Sequence, residues 1–449
     1  PHRTRANAPS VLPLFHLMRT ETPGGEMLIQ PGVSEAGLAR LAYALGADLC
    51  GGPLSQLERA WIAAAQAAEP PATTTVEEMR QAILAGGDPL GDILCALRPA
   101  TQRRPDGAFY TPPAIVTAMV HWLLAHPLDR VVDPGCGSGR FAAAISRCRP
   151  DVPVIAIDSD PLATLLTRAA LSVLGTRDAR VLQHDYLTVT LPPCAGRTGF
   201  IANPPYVRHH DLSTDAKTWA ATAGKSLDVA VSGLSGLHAL FYLATALKAR
   251  HGDVGCFVTS SEWLDTHYGQ AIRHLLTRRL HVRVLAMLDP RATPFADAMT
   301  TAVITGFTAG CLDEHVSLDV LDAPESLRLH TMDRMIERQR LVEASRWSPF
   351  LRRDEPVQDG SREVPLRMVA RVHRGVATGS NEFFVLPRER AGALGLLPWC
   401  RPAITRAEEI LQANGVVRDG PERRLLLVVP PDIDRRAFPA LDAYLCRGE

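Results

Sequence analysis

The chain has 449 residues, 46% of them hydrophobic and 21% charged, the usage of a folded globular protein rather than a disordered one. Its 48 basic and 48 acidic side chains cancel. That removes a global basic excess as an argument for nucleic-acid binding, although a local basic face stays compatible with it. No apolar run approaches the ~18 residues of a transmembrane helix. The first residues, Pro1-His2-Arg3-Thr4-Arg5, lack the apolar core of a signal peptide. Nine Cys are scattered without a CxxC pair, so neither a disulfide framework nor a structural zinc is expected, and a cytoplasmic location fits. Lys occurs only at Lys217, Lys225 and Lys248, so nearly all basic residues are Arg, the planar bidentate donor suited to phosphates and base edges.

Residues 1–100 read as a helical region, with apolar spacing over Ala36 to Leu45 and Gln56 to Ala68 and an N-cap at Thr75 for a helix over Val76 to Leu84. No chemistry is visible in it. From about 130, short apolar runs alternate with helical stretches: Val131-Val132, Val154 to Ile157, Val181-Leu182, Phe200 to Ala202, Cys256 to Thr259, Val282 to Leu288 and Thr301 to Phe307. This alternation predicts a doubly wound α/β sheet over 101–310. The last two runs follow one another without a helix between them, which predicts an antiparallel edge pair. Residues 311–363 read as a helical connector, with a helix over Met332 to Ala344. Residues 364–449 show β-like runs, Glu382 to Leu386 and Leu425 to Val429, between Pro and Gly.

The first strand runs into Asp133-Pro134-Gly135-Cys136-Gly137-Ser138-Gly139. A strand that ends on an acid and turns through small residues into a helix lets a ligand approach the backbone closely. Dinucleotide enzymes use such a turn too. Here the acid precedes the glycines, where it can hold an ammonium group. The second strand ends on Asp158-Ser159-Asp160, where a ribose diol would lie. After the third strand, Asp185 can accept from an adenine amino group and Tyr186 can border its ring. Three successive strand ends therefore place acids on the sheet edge at which α/β folds bind ligands.

The fourth strand ends in Phe200-Ile201-Ala202-Asn203-Pro204-Pro205-Tyr206. With this block in place, Gly107 to Phe307 resembles the class I S-adenosylmethionine-dependent N6-adenine DNA methyltransferases of the gamma, TaqI-like arrangement, which implies a Rossmann-like, doubly wound sheet of seven strands. Gly107-Ala108-Phe109-Tyr110-Thr111-Pro112-Pro113 is similar to that family's N-terminal cofactor-contacting motif. The chemistry explains the residue types. The N6 lone pair of adenine is delocalised into the ring, so the amine is a poor nucleophile. The Asn203 side-chain oxygen and the Pro204 backbone oxygen can accept its two hydrogens and free the lone pair. Pro204 and Pro205 hold the backbone by their fixed φ. Tyr206 offers a ring face to an extruded base, a contact worth roughly 1–3 kcal/mol, comparable to the few kcal/mol spent on flipping.

The resemblance implies S-adenosylmethionine as cofactor, held by Thr111, Asp133, Pro134, Gly135, Gly137, Asp158, Asp185, Tyr186 and Asn203. It implies double-stranded DNA as substrate, with Phe295 packing on the flipped adenine opposite Tyr206, and a restriction endonuclease or specificity partner. Val369 to Phe384 is similar to the start of the family's target-recognition domain, with Arg371, Arg374, Thr378 and Asn381 as phosphate or base contacts. That domain continues further in the family, so an incomplete α+β recognition domain is expected over 364–449. His209-His210 are expected as loop residues, and no metal site is expected. Three rivals stand beside this: an RNA methyltransferase, a protein-glutamine methyltransferase with the same Asn-Pro-Pro-Tyr site, and a non-enzymatic DNA-binding specificity protein with an inactive methyltransferase fold. The 243 residues after Tyr206 argue against the glutamine enzymes, and the intact Asn203 to Tyr206 block against decay.

Overall fold

The computed structural model describes residues 34–98, 111–288, 301–311, 313–321, 329, 334–351, 366–371, 375–376, 378–405, 409, 420, 423–430 and 432–447. The chain divides into two compact units, Pro1–Pro356 and Val357–Glu449.

The first unit begins with four helices: α1 (Glu35–Ala44), α2 (Gln56–Ala67), α3 (Thr73–Leu84) and α4 (Pro89–Leu97). Local chemistry starts most of them. Ser34 accepts from the Gly37 N–H, Ser55 and Glu58 form a reciprocal capping box, and Asp88 accepts from the Gly91 N–H ahead of Pro89. The third starts at Thr73, three residues before the expected Val76, with Ala72 rather than Thr75 at its cap and no side-chain hydrogen bond there. Leu38, Leu41, Ile83 and Leu90 pack in one core with Leu162, Leu165 and Leu166 of the helix Pro161–Val173. The helical region is thus a layer of the sheet domain rather than a separate body.

A nine-stranded sheet follows, built from β1 (Arg130–Pro134), β2 (Val154–Asp158), β3 (Ala179–Gln183), β4 (Thr198–Ala202), β5 (Val254–Ser260), β6 (Val282–Leu288), β7 (Ala302–Thr308), β8 (His315–Leu321) and β9 (Arg334–Glu337), in the order β3-β2-β1-β4-β5-β7-β6-β8-β9. The first five are parallel neighbours, and β7 lies antiparallel between β5 and β6. Strands buried on both faces read as continuous apolar runs, which is why these segments are visible in the sequence. One face packs on the helices Thr214–Leu227, Leu237–Lys248 and Gln270–Arg278, the other on Pro113–Leu124 and Arg140–Cys148.

Two expectations fail here. The β6–β7 pair is not an edge, because β8 pairs parallel with β6 and β9 closes on β8. The region 311–363 is not a helical connector: it supplies those two strands, and only the short helix Arg338–Glu343 remains of the expected helix over Met332 to Ala344. Strand β9 has Ile336 as its one buried position, a weak pattern easily read as helical among many Arg.

The second unit has a three-stranded antiparallel sheet, β10 (Val385–Pro387), β12 (Arg424–Leu427) and β11 (Cys400–Pro402), around a small core that includes Leu386, Leu396, Leu425 and Leu441. Of the strand expected over Glu382 to Leu386, Val385 and Leu386 fall in β10, while Glu382 to Phe384 belong to the helical turn Asn381–Phe384.

Candidate active site

The C-terminal ends of β1 to β4 lie side by side, with Pro134 opposite Ile157 and Asp158 opposite Gln183. Beside them opens a cleft of about 670 Å³, within the roughly 300–1,000 Å³ of small-molecule sites. Thr111, Gly135, Gly137, Asp158, Asp185, Tyr186, Asn203 and Pro205 all line it. Residues separated by up to 94 positions in sequence therefore meet on one wall.

The turn after β1 is a run of left-handed glycines, with φ of 71° at Gly135, 57° at Gly137 and 90° at Gly139. At Gly137 a Cβ would point into open space, and at Gly139 it would come within 3.0 Å of Thr167. The first leaves room for a ligand against the backbone, and the second lets the helix Arg140–Cys148 start against its neighbour. Asp158 holds the turn from the next strand: its carboxylate accepts from the Gly137 N–H at 2.9 Å and the Asp160 N–H at 3.0 Å. Burial raises its carboxyl above the usual range, and these backbone N–H groups partly offset that.

Asp133 is placed differently from expectation. It is fully buried and does not line the cleft, and neither does Pro134. One Asp133 oxygen accepts from the Ala142 N–H at 3.1 Å, tying β1 to the helix beyond the glycines. The other oxygen has no hydrogen-bond partner among the described residues. Burial, with the Asp158 charge adding to it, pushes the Asp133 carboxyl up to about 8. Its role in the structure is to hold the turn from behind.

At the β3 end, Asp185 closes a tight turn by accepting from the Leu187 N–H at 2.9 Å. The Tyr186 ring packs on Phe241 at 5.1 Å, its hydroxyl meets Thr245 Oγ1 at 2.9 Å, and the Lys248 ammonium lies 4.9 Å from its centroid. Burial brings Lys248 down to about 8, although Asp185 pulls the other way. No motif in the sequence singles out this lysine.

At the β4 end, Asn203 and Pro205 face the cleft, whereas Pro204 is buried and Tyr206 does not line it. Burial holds the Tyr206 phenol well above its ordinary range, with Tyr242 adding to the effect. The Asn203 Nδ2 donates to Thr111 Oγ1 at 3.1 Å, so Thr111 touches the amide side chain directly. The Val207 carbonyl accepts from the Leu237 N–H at 3.0 Å, which pins the Pro-Pro-Tyr turn to the helix Leu237–Lys248.

The helical region, silent in sequence, reaches this site. Arg98, at the end of α4, lines the cleft and pairs with Asp160 and Glu35. Arg140 donates to Asp88 at 2.8 Å, to Asp92 at 2.6 Å and to the Thr111 carbonyl at 2.9 Å. No local signal marks the two acids, which sit at the start of α4, about 50 positions from Arg140.

The remaining expected positions fall elsewhere. Phe295 and Arg374 lie outside the described residues. Arg371 and Asn381 are exposed on the second unit, where the Thr378 hydroxyl donates to Asn381 Oδ1 at 2.7 Å. The His209 and His210 rings lie tilted by 44° with centroids 3.6 Å apart in a 3-10 turn. Among the described residues no cluster of three metal-ligating side chains occurs, and no helix is long and apolar enough to cross a membrane.

The sheet order, the left-handed glycine turn and the acids that follow it are those of the class I S-adenosylmethionine-dependent methyltransferase fold. In agreement, the methyltransferase small domain family matches residues 116–229. The chain is 41% identical over 330 residues to the Type II methyltransferase M.XamI of Xanthomonas campestris pv. amaranthicola, covering 73% of this chain and 62% of that protein. It is 25% identical over 302 residues to the Type II methyltransferase M.AccI of Acinetobacter calcoaceticus, covering 65% and 55%. Among solved structures, the Type IIL restriction–modification enzyme MmeI in complex with DNA shares the fold, with a TM-score of 0.52 at 15% identity over 91% of this chain and 65% of that one. The chain spans about three fifths of the length of these curated relatives. The cleft fits the cofactor of the class on its own chemistry. A free glycine face at Gly137 and a carboxylate at Asp158 suit an adenosyl moiety with a ribose diol, and Asp185 beside Tyr186 suits an amino-bearing ring.

Proposed function

We propose that the protein methylates the N6 amine of adenine in a specific duplex DNA sequence, after extruding the base, and serves a restriction–modification system. The observation that carries this reading is the Asn203-Pro204-Pro205-Tyr206 block at the end of β4, with the Asn203 amide on the wall of the same cleft as Asp158 and Gly137. Bound S-adenosylmethionine supplies an electrophilic methyl group. The protein's task is then to hold an amine in line with it and to make that amine nucleophilic. Asn203 Oδ1, which is buried here and reaches the amine after the amide turns, and the Pro204 carbonyl accept the two amine hydrogens. This needs positioning rather than a strong base. Tyr206 and Phe295 hold the base, the former after a side-chain movement, since its phenol is buried here. The similarity to M.XamI, which runs well beyond the cofactor half of the sheet, supports DNA as the substrate class over RNA or a protein glutamine.

The test is methyl transfer from radiolabelled S-adenosylmethionine to unmethylated genomic DNA, followed by digestion to nucleosides. N6-methyladenine that disappears in Asn203→Ala is expected. A labelled cytosine, or transfer only to RNA or protein, would overturn the reading.

A further inference from the structure

The helix Leu237–Lys248 braces two walls of the cleft. At its start the Leu237 N–H donates to the Val207 carbonyl behind the Asn-Pro-Pro-Tyr turn, Phe241 in its middle lines the cleft, and Lys248 at its end donates to the Leu187 carbonyl at 3.2 Å. The same ammonium lies 4.9 Å from the centroid of the Tyr186 ring, which also meets Phe241 and Thr245 of this helix. Leu187 is thus held at both ends, its N–H by Asp185 Oδ1 at 2.9 Å and its carbonyl by Lys248. Asp185, Tyr186 and Leu187 all line the cleft, and Lys248 stands behind them without lining it. Of the three lysines in the chain, Lys217 and Lys225 are exposed and Lys248 is half-buried.

A half-buried ammonium loses hydration, and attractive neighbours must offset that loss. Here the neighbours are the Leu187 carbonyl, the π face of Tyr186 and the Asp185 carboxylate, which supports the charge. All three belong to the single turn that follows β3, so the force that holds the lysine also holds the turn. One Asp185 oxygen is spent on the Leu187 N–H, and among the described residues no group donates to the other. We propose that Lys248 is a positioning residue for the adenine ring of the cofactor: its charge keeps the Asp185-Tyr186-Leu187 turn in the shape that presents the second Asp185 oxygen and the Tyr186 ring to the cleft. This rests on the reading that Asp185 and Tyr186 take that ring. Burial brings the ammonium down to about 8, so its charge is largely present at pH 7 and is lost as pH rises through that value. The titratable groups facing it from the turn are the Asp185 carboxylate and the Tyr186 phenol, and burial keeps the phenol protonated well above this range. From its own helix Phe241 and Thr245 back the ring, and neither titrates.

The test titrates the full chain with adenosine, which carries no ammonium of its own and no group that titrates between about pH 7 and pH 9.5. The parent is expected to bind it about fivefold more weakly at the upper end of that interval. Asp133 titrates there as well, and Lys248→Met, which keeps the apolar stem and removes the charge, tells the two apart. Lys248→Met is expected to bind about fivefold more weakly than the parent already at pH 7 and to change by less than about twofold up to pH 9.5. Affinity equal to the parent's at pH 7, or the parent's full pH dependence kept in Lys248→Met, would overturn the proposal. Should Lys248→Met not fold, the parent decides alone. Three lysines give a simple spectrum when labelled with carbon-13. If the charge supports binding, bound adenosine must by reciprocity favour the charge, so the Lys248 resonance is expected to titrate at higher pH in the complex, and an unmoved midpoint refutes the role. Asp185→Ala separates this from the reading beneath it. If Asp185→Ala binds adenosine as the parent does, or the parent binds none, the placement of the ring fails and the role of Lys248 with it. If Asp185→Ala weakens binding and Lys248→Met does not, only the lysine is lost.

Discussion

The two ends of the chain solve the problem of adding residues to a sheet domain in opposite ways. The helical region 34–98 carries no recognisable motif, yet it shares a core with the sheet domain and meets it through buried charge. Arg168 and Glu58 are both fully buried, and Arg168 also donates to the carbonyls of Cys50, Gly52, Pro53 and Val181. The second unit, by contrast, keeps its candidate contacts largely exposed around a small core of its own. A buried ion pair costs much desolvation and is stable only when its remaining donors are met, so it ties the helical region to one geometry. An exposed polar face leaves the second unit adaptable. Precise placement of a reacting group needs the first kind of attachment.

The sharpest way to break this contrast is to remove one partner of the buried pair. Glu58→Ala leaves Arg168 charged and unpaired and is expected to cost about 3–5 kcal/mol of global stability, read by urea unfolding, and to weaken cofactor binding with it. Glu58→Ala that unfolds at the parent's urea midpoint would mean the helical region is not integral. Next in size, Leu441→Ala removes a core side chain of the second unit and is expected to cost that unit about 2–5 kcal/mol, read by hydrogen exchange of β10 to β12. The cofactor dissociation constant should stay unchanged, and a shift in it would show that the two units are not independent. Smaller again, Arg98→Ala removes a cleft wall and frees Asp160, which caps the helix after Asp158. Cofactor binding should weaken about tenfold in an equilibrium titration, whereas Arg401→Ala on the exposed β11 should leave it as it was.

Legibility in the sequence followed the same division. The sheet was readable because strands buried on both faces form short apolar runs, and the strand-end acids stood in regular succession. Asp158, Asp185 and Asn203 duly line one cleft. Asp133 belongs to the same pattern, but a residue's place in a strand does not say whether it faces the cleft or the helix behind it, and Ala142 took its carboxylate. Tyr206 shows the same limit, since the burial of its hydroxyl follows from what the fold packs around it and not from its place in the motif. Asp88, Arg140 and Thr111 were unreadable as a set because each has an ordinary local explanation: a cap, a helix start, a residue before proline. Their hydrogen bonds exist only where these segments meet. Strand β8 was missed because its apolar residues alternate with polar ones in His315-Val316-Ser317-Leu318, and β9 because it is short with Ile336 alone buried.

The smallest expected effect separates the cap from the ion pair at one residue. Glu58 has two tasks: its Oε2 accepts from the Ser55 N–H at 2.7 Å, completing the capping box, and its carboxylate holds Arg168. Ser55→Ala removes the hydroxyl that accepts from the Glu58 N–H at 3.1 Å and leaves both the carboxylate and Arg168 in place. Loss of an N-cap alone costs about 1 kcal/mol, so Ser55→Ala should shift the urea midpoint slightly, with the cofactor affinity preserved. If Ser55→Ala instead destabilised the chain as much as Glu58→Ala, the start of α2 would be what places the carboxylate under Arg168. The buried pair would then be a consequence of the helix cap rather than an independent bond between the helical region and the sheet.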